Sequence, residues 1–408
     1  MSHYDALIVG GGHGGAQAAI ALRQRGFTGS IAIVGDEAEP PYERPPLSKD
    51  YLAGDKPFER ILIRPADFWT ARDIALLGGR RIVTVDADAH RLTDAADDTI
   101  GYGSLVWATG GTPRSLACSG HALPGVHAIR TRADVDRLSH ELADARRVVV
   151  IGAGYIGLEA ASALVKRGLE VTVVEAQSRV LARVAGPALS AFFADVHRAA
   201  GVTLLLDAAV ECLEEDAGRV GAVRLAGGEL LPADIVIVGI GIVPAVEPLT
   251  AAGAVVSDGV EVDGLCRTSL PDIFAIGDCA RHANRYADGA AIRLESVQNA
   301  ADMATTVAGV LTGSAQPYEA VPWFWSNQYD LKLQTVGLSR GHDEEIVRGD
   351  PATRRFSTIY RRDGRVIAFD CVNMVRDYVQ GRALVMAGAR VDTAALADPD
   401  IPLKELLP

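Results

Sequence analysis

The chain alternates short apolar runs with glycine clusters, and the first run sets the pattern. Ala6–Gly10 (ALIVG) has the unbroken apolar character of a strand buried on both faces. Gly10-Gly11-Gly12-His13-Gly14-Gly15 follows. Ala16–Arg25 then carries helical periodicity and stops at Gly26, and Ser30–Val34 is a second strand. The unit recurs downstream. Val148–Ile151 leads into Gly152-Ala153-Gly154-Tyr155-Ile156-Gly157, a helix runs from about Leu158 to Lys166 and ends at Gly168, and Val171–Val174 closes on Glu175. Two strand–helix–strand units predict an α/β chain with two Rossmann-like nucleotide-binding domains.

Three more apolar runs, Leu105–Ala108, Ile235–Val238 and Ile273–Ile276, end on Thr109-Gly110-Gly111, Gly239-Ile240-Gly241 and Gly277-Asp278. Ligands of parallel sheets sit beyond such carboxyl ends. Past Pro317 the pattern changes. Aromatics cluster at Trp323-Phe324-Trp325 and Tyr329, and alternating runs follow at Leu331–Val336, Phe356–Tyr360 and Val366–Cys371. The last two flank Asp363-Gly364, a hairpin signal that predicts a small antiparallel sheet. A helix near Tyr378–Ala387 and a proline-bearing tail close the chain. The expected domains are a discontinuous first one (1–109 with 243–317), an inserted second (110–242), and a small α+β C-terminal one (318–408).

Composition narrows the class. The 408 residues are 49% hydrophobic and 23% charged, which excludes a disordered or fibrous chain. The net charge of −12 argues against a nucleic-acid partner. The most apolar windows are broken by glycine clusters, so no membrane span is expected. No signal peptide is legible, and a cytoplasmic location is expected. The five cysteines, Cys118, Cys212, Cys266, Cys279 and Cys371, form no Cys-x-x-Cys pair, so neither a dithiol redox centre nor a metal site is expected.

The glycine clusters carry chemistry. In Gly10-x-Gly12-x-x-Gly15 the first glycine makes a tight turn, the second admits a pyrophosphate, and the third lets helix and strand approach. The helix start then offers free N–H groups to phosphate. The acidic partner at the end of the second strand is Asp36 or Glu37, after Gly35. In the second unit Glu175 stands alone in that role. A carboxylate there holds a ribose 2′-hydroxyl and repels a 2′-phosphate, which favours NADH, although Arg179 and Arg183 lie just downstream. Asp278 can accept hydrogen bonds from a ribityl chain or cap a helix.

The ordered set GGGHGG, PYERPPLSK, WATGG, GAGYIGLE, VVEAQSRVL, VGIGIVP, IFAIGDCA, ESVQNA and PWFWSNQYD resembles one family over essentially the whole chain. It is similar to the FAD-dependent NADH:ferredoxin reductases of bacterial oxygenase systems. These are glutathione-reductase-like flavoproteins, in the branch of the biphenyl dioxygenase and putidaredoxin reductases. The resemblance implies hydride transfer from NADH to FAD, then single electrons to a 2Fe–2S ferredoxin. For FAD it implies Gly10, Gly12, Gly14, Gly15, Gly35, Asp36, Arg44, Lys49, Val83, Ala108, Thr109, Gly110, Arg130, Gly277, Asp278, Val297 and Trp325. For NADH it implies Gly152, Gly154, Tyr155, Ile156, Gly157, Glu159, Glu175, Arg183 and Gly241. Lys49, Glu159 and Trp325 are the residues implied at the reacting rings. Asn327 stands where the branch usually has aspartate.

The ferredoxin-facing cations expected are drawn from Arg60, Arg64, Lys332, Arg340, Arg361 and Arg362, although any one of them taken singly reads better as a charge on a solvated hairpin face. The terminal oxygenase expected is an aromatic ring-hydroxylating dioxygenase, with a cytochrome P450 as the alternative. The absence of cysteine from Tyr42–Lys49 speaks against a peroxidase or water-forming NADH oxidase. A flavoprotein whose oligomeric state NADH switches is a further alternative. The assembly expected is a monomer or homodimer.

Overall fold

A computed structural model describes residues 2–407. The chain divides into two compact units. The first comprises the N-terminal stretch through Arg44, Phe58–Thr112 and Val243–Pro322; the second comprises Pro45–Pro57, Pro113–Ile242 and the C-terminal stretch from Trp323.

In the first unit, strands Ile74–Leu77, Ile31–Val34, Ser2–Val9 and Thr99–Trp107 run parallel, and Ile273–Ala275 joins beside Thr99–Trp107. Strands Arg91–Asp94 and Ile82–Asp86 extend the sheet antiparallel. The register aligns Val9 with Val34 and Trp107, and Trp107 with Ala275. Four strands therefore stop in one row, and the glycine-rich segments leave from that row. Ile31–Val34 is buried along its whole length and Ser2–Val9 over its last four residues, which is why those stretches read as continuous apolar runs.

The first helix spans His13–Gln24, three residues ahead of the expected start. Helix propensity disfavours Gly14 and Gly15, but packing overrides it. A Cβ on Gly15 would lie 1.9 Å from the Gly10 carbonyl oxygen, so only glycine lets the first turn close on the preceding strand. The second helix, Tyr155–Lys166, likewise begins inside its glycine cluster.

The second unit holds a parallel sheet in the order Thr203–Leu205, Glu170–Val174, Arg147–Ile151, Ile235–Val238, Val126–His127. Val174 and Val238 both pair with Ile151, so Glu175, Gly152 and Gly239 begin at one edge. Its C-terminal part is a five-stranded antiparallel sheet in the order Trp323–Gln328, Leu331–Gly337, Arg365–Val372, Arg355–Arg362, Glu344–Asp350. The expected hairpin turns at Asp363 (φ 49°) and Gly364 (φ 72°), both in the left-handed conformation of a tight two-residue connection. The helix Val375–Ala387 follows.

Candidate active site

The first cradle is built on the row of strand ends. Gly10 (φ 112°) turns the chain where a Cβ would fall 2.3 Å from the Ala108 carbonyl oxygen. A Cβ on Gly11 would meet nothing within 4 Å, and one on Gly12 would meet only Arg44 Nε at 3.8 Å. The helix that follows has no side-chain cap and no acidic residue in its first turn. Open space, uncapped N–H groups and a nearby guanidinium suit a phosphate. Arg44 is itself set by Glu37 at 2.5 Å, and Tyr42 also hydrogen-bonds that carboxylate. Glu37 is thus committed to Arg44, while Asp36 stays exposed at the strand end.

Opposite, Gly14 faces Ile276 and Ala300 at Cβ distances of 3.4 and 3.6 Å. This brings the glycine turn, the Gly277-Asp278 turn and the helix Val297–Leu311 together. Asp278 lies inside a single 3-10 turn, Gly277–Cys279; the long helix is capped by Ser296, which accepts from the Asn299 N–H at 3.1 Å. Thr109 Oγ1 donates to the Ala245 carbonyl at 2.7 Å and fixes the Ala108–Gly110 segment. Val83 lies on the antiparallel extension and is exposed. Lys49, Arg130 and Trp325 belong to the second unit.

The second cradle repeats the first. A Cβ on Gly152 (φ 104°) would lie 2.5 Å from the Gly239 carbonyl oxygen, and one on Gly157 would lie 2.0 Å from that of Gly152. Gly154 faces open space and precedes another uncapped helix. Glu175 accepts from the Ala153 N–H at 2.7 Å and the Gln177 N–H at 2.9 Å. These two bonds hold its carboxylate beside the glycine turn, with lone pairs to spare. Arg179 is engaged by the Ala185 and Ala182 carbonyls and Ser190 Oγ. Ile156 is exposed and Tyr155 is packed on Phe324 with ring centroids 4.6 Å apart.

Below this cradle lies a buried polar cluster. Lys49 Nζ is 2.9 Å from Glu159 Oε2, with side-chain exposures of 11% and 3%. Ser48 Oγ donates to Oε2 at 2.6 Å, and Ser326 Oγ donates to Oε1 at 2.5 Å. The row continues outward. Gln328 Nε2 donates to Ser326 Oγ at 3.1 Å, His197 Nε2 donates to Gln328 Oε1 at 2.8 Å, and Tyr329 Oη donates to His197 Nδ1 at 3.0 Å. Burial pushes His197 down to about 4, so the ring is neutral at physiological pH and the tautomer follows from its two partners. Every donor in the row points toward Glu159. Burial, then the charges of Asp370 and Glu159, pushes the Tyr155 phenol well up.

A match of spacing produces this row. Four residues of helix rise about 6 Å and two of strand about 6.6 Å. Tyr155 and Glu159, four apart on the helix, therefore meet Phe324 and Ser326, two apart on the strand. Ser162 Oγ then accepts the Tyr329 N–H at 3.0 Å. Tyr329 has φ 54°, uncommon for an aromatic residue, and is anchored by both its backbone and its hydroxyl.

The odd-numbered residues of the strand face the other way. Trp323 and Trp325 lie 5.6 Å apart, as an i, i+2 pair must, and Trp323 meets Tyr378 at 6.3 Å. Asn327 shares that face and is exposed. Ser48, Ser326, Gln328, His197 and Tyr329 escape motif reading because single serines, glutamines and histidines carry no sequence signature. Of the surface cations, Arg361 is tied to Glu344, the Val391 carbonyl and Thr393.

Two uncapped dinucleotide cradles in one chain are the mark of a pyridine-nucleotide flavoprotein. Residues 4–304 match the pyridine nucleotide-disulphide oxidoreductase family and residues 323–407 match the reductase C-terminal family. The chain is 58% identical over 407 residues to the 5,5'-dehydrodivanillate O-demethylase ferredoxin reductase subunit of Sphingobium sp., covering 100% of this chain and 99% of that one. It is 38% identical over 408 residues to the ferredoxin–NAD(+) reductase component of the anthranilate 1,2-dioxygenase system of Burkholderia cepacia, covering 100% of both. The solved covalent putidaredoxin reductase–putidaredoxin complex superposes with a TM-score of 0.95 at 38% identity, covering 100% of this chain and 98% of that chain. The chain belongs to the ferredoxin reductase branch of the pyridine nucleotide-disulphide oxidoreductases, enzymes that use a flavin and NAD(P). Among the described residues its five cysteines are free, and no helix is long and apolar enough to cross a membrane.

Proposed function

We propose that the chain is an FAD-dependent NADH:ferredoxin reductase that serves a terminal oxygenase through a 2Fe–2S ferredoxin. The observation that carries this is the pairing of two dinucleotide cradles with the buried Lys49–Glu159 cluster beneath the second. Bound FAD supplies the acceptor for a hydride and the donor of single electrons. Everything else is done by the chain's own residues.

Gly10, Gly12, Gly14, Gly15 and the first helix receive the FAD phosphates, with Arg44 adding charge. Gly35 and Asp36 close the adenosine end, and Ala108–Gly110, Gly277, Asp278 and Val297 line the row of strand ends beyond. Val83 and Arg130 complete the assignment. Gly152, Gly154, Tyr155, Ile156 and Gly157 receive the second nucleotide, and Glu175 accepts from its adenosine ribose. A carboxylate there disfavours a 2′-phosphate, which supports NADH over NADPH.

Glu159 holds Lys49 in one orientation, and Ser48 and Ser326 leave the carboxylate few other geometries. A charge fixed in a dry site acts without the reorganisation that water requires. On the opposite face of its strand, Trp325 offers an aromatic surface beside Trp323, which we assign to the flavin ring. By name, one relative serves an O-demethylase and another a dioxygenase system, which supports a terminal oxygenase as the final electron acceptor.

Anaerobic stopped-flow absorbance tests the reading. Mixing the flavin-loaded protein with NADH should bleach the flavin, and a 2Fe–2S ferredoxin should then reoxidise it quickly. Fast bleaching with slow reoxidation by the ferredoxin and fast reoxidation by oxygen would replace the ferredoxin reading with an oxidase.

A further inference from the structure

The polar row that ends on Glu159 has one direction, and the carboxylate sets it. Glu159 is buried and ion-paired with Lys49 Nζ at 2.9 Å, and an ionised carboxylate only accepts. Ser326 Oγ, 2.5 Å from Oε1, must therefore direct its single proton there. Ser326 can then only accept from Gln328. The Gln328 amide nitrogen accordingly faces Ser326 at 3.1 Å and its oxygen faces His197 at 2.8 Å. An oxygen at that position requires the His197 hydrogen on Nε2. Nδ1 is then a bare acceptor, and Tyr329 Oη donates to it at 3.0 Å. All these residues belong to the second unit. Ser326, Gln328 and His197 are buried, and Tyr329 is exposed.

Each link has one alternative, and it is reached only by reversing the whole row. With the Gln328 amide turned over, its oxygen would face Ser326 and draw the hydroxyl proton away from Glu159. Ser326 Oγ and Glu159 Oε1 would then lie 2.5 Å apart with no proton between them. That arrangement gives up a charge-assisted hydrogen bond, the stronger kind, and sets two oxygens in contact. Among the described residues Oε1 has Ser326 as its only hydroxyl donor, whereas Oε2 has both Ser48 and Lys49.

We propose that Gln328, His197 and Tyr329 are positioning residues of the reacting site. Tyr329 Oη sets the His197 tautomer, and His197 Nε2–H holds the Gln328 amide. That amide keeps the Ser326 hydroxyl on Glu159, whose other oxygen holds Lys49. Among the described residues none of the three hydrogen-bonds Glu159 or Lys49, so they act through Ser326. The chain builds the row from both sides. Ser326 and Gln328 share one face of the strand Trp323–Gln328, and His197 stands in the last turn of the helix Pro187–Ala199. The Ser162 Oγ bond to the Tyr329 N–H at 3.0 Å fixes the residue from which the row starts. The proposal rests on the reading of Lys49 and Glu159 as the pair at the reacting rings.

Anaerobic stopped-flow reduction of the flavin-loaded full chain by NADH tests it as a double-mutant cycle. His197→Phe removes the donor to Gln328 Oε1 and should slow reduction about fivefold, the effect of losing one neutral hydrogen bond. Tyr329→Phe should slow it by less. His197→Gln, which offers an amide N–H in place of Nε2–H, should recover most of the rate. In Ser326→Ala the row no longer reaches the carboxylate, so adding His197→Phe should slow that variant no further. A full further loss in the double variant overturns the proposal, because a residue that only packs the core adds its effect. Unchanged rates in both His197→Phe and Tyr329→Phe overturn it as well. Flavin occupancy reports folding, and where His197→Phe does not hold flavin, Tyr329→Phe completes the same cycle. A second readout is independent of the reaction. Nitrogen–proton correlation spectra of the chain isotope-labelled at histidine, with His197 identified by its loss in His197→Gln, should show the hydrogen on Nε2. Tyr329→Phe should bring in the other tautomer. A hydrogen on Nδ1 in the wild-type protein overturns the direction of the row. Failure of NADH to reduce the wild-type flavin would instead overturn the nicotinamide reading, and the spectrum would still decide the row.

Discussion

Asp370 is the buried carboxyl whose removal should stabilise the protein. It sits on Arg365–Val372 with 3% exposure, accepts from Tyr360 Oη at 2.7 Å, and faces the Glu345 carboxylate across the sheet. Tyr360 in turn accepts from the Gly186 N–H at 3.0 Å, and Glu345 Oε1 from the Ala188 N–H at 3.2 Å, both at the start of the helix Pro187–Ala199. Burial, reinforced by Glu345 and partly offset by Tyr360, raises Asp370 from 3.8 to about 7. Between those values the native protein holds a proton that the unfolded chain has lost. Stability therefore falls as pH rises through that window, and the loss is complete above about pH 7. At about 1.4 kcal/mol per tenfold in proton affinity, the full loss is on the order of 4 kcal/mol.

Asp370→Asn is neutral at every pH and keeps an acceptor for Tyr360. Thermal unfolding of flavin-loaded wild type and variant should be compared from pH 5 to pH 8.5. Carboxylates held below their usual range, such as Asp94, Asp234 and Glu261, lose their stabilisation toward acid in both proteins and cancel in the difference. The variant's advantage in Tm should grow with pH by several degrees, since 1 kcal/mol corresponds to roughly 2–4 °C in domains of this size class. A difference in Tm that is the same at pH 5 and pH 8.5 would refute the reasoning.

Three further outcomes are expected. Arg348 is 3% exposed at its side chain, pairs with Asp377 at 3.1 Å, and donates to the Leu396, Pro399 and Ile401 carbonyls. Arg348→Met leaves the buried Asp377 charge with only the Ser357 hydroxyl, strands those carbonyls, and should cost about 3–5 kcal/mol; restoring Tm by adding Asp377→Leu would trace the cost to the uncompensated charge. Ser326→Ala removes the donor to Glu159 Oε1 and should slow flavin reduction by NADH about tenfold while NAD+ affinity holds, since one hydrogen bond to a charged group is worth about 1.5–3 kcal/mol; equal rates would show that Ser48 and Lys49 suffice. Glu175→Ala should raise the KM for NADH more than it lowers kcat and narrow the NADH/NADPH preference about tenfold, a loss of about 1.4 kcal/mol; an unchanged preference in steady-state kinetics would remove Glu175 from its assigned role.

Local order along the chain determined the two cradles. Each needs glycine at a strand end where a Cβ would collide with backbone, at Gly10 and Gly15 and again at Gly152 and Gly157. That requirement is local, so it is written locally, and the hairpin at Asp363-Gly364 is legible for the same reason. Helix starts were less legible, because packing of Gly15 on Gly10 outweighs glycine's poor helix propensity.

The strand Glu344–Asp350 had no legible pattern at all. Its inward positions include Arg348, whose burial is tolerated only because Asp377 and the chain near Ile401 meet it. The same limit applies at the active site. Lys49 and Glu159 could be paired by resemblance alone, but the row Ser326–Gln328–His197–Tyr329 could not. It exists because the rise of four helical residues nearly equals that of two strand residues. That coincidence of pitch acts between segments far apart in the chain. Only the tertiary structure decides which polar side chains it brings into hydrogen-bonding range, because a buried donor is tolerated only where a distant segment supplies its acceptor.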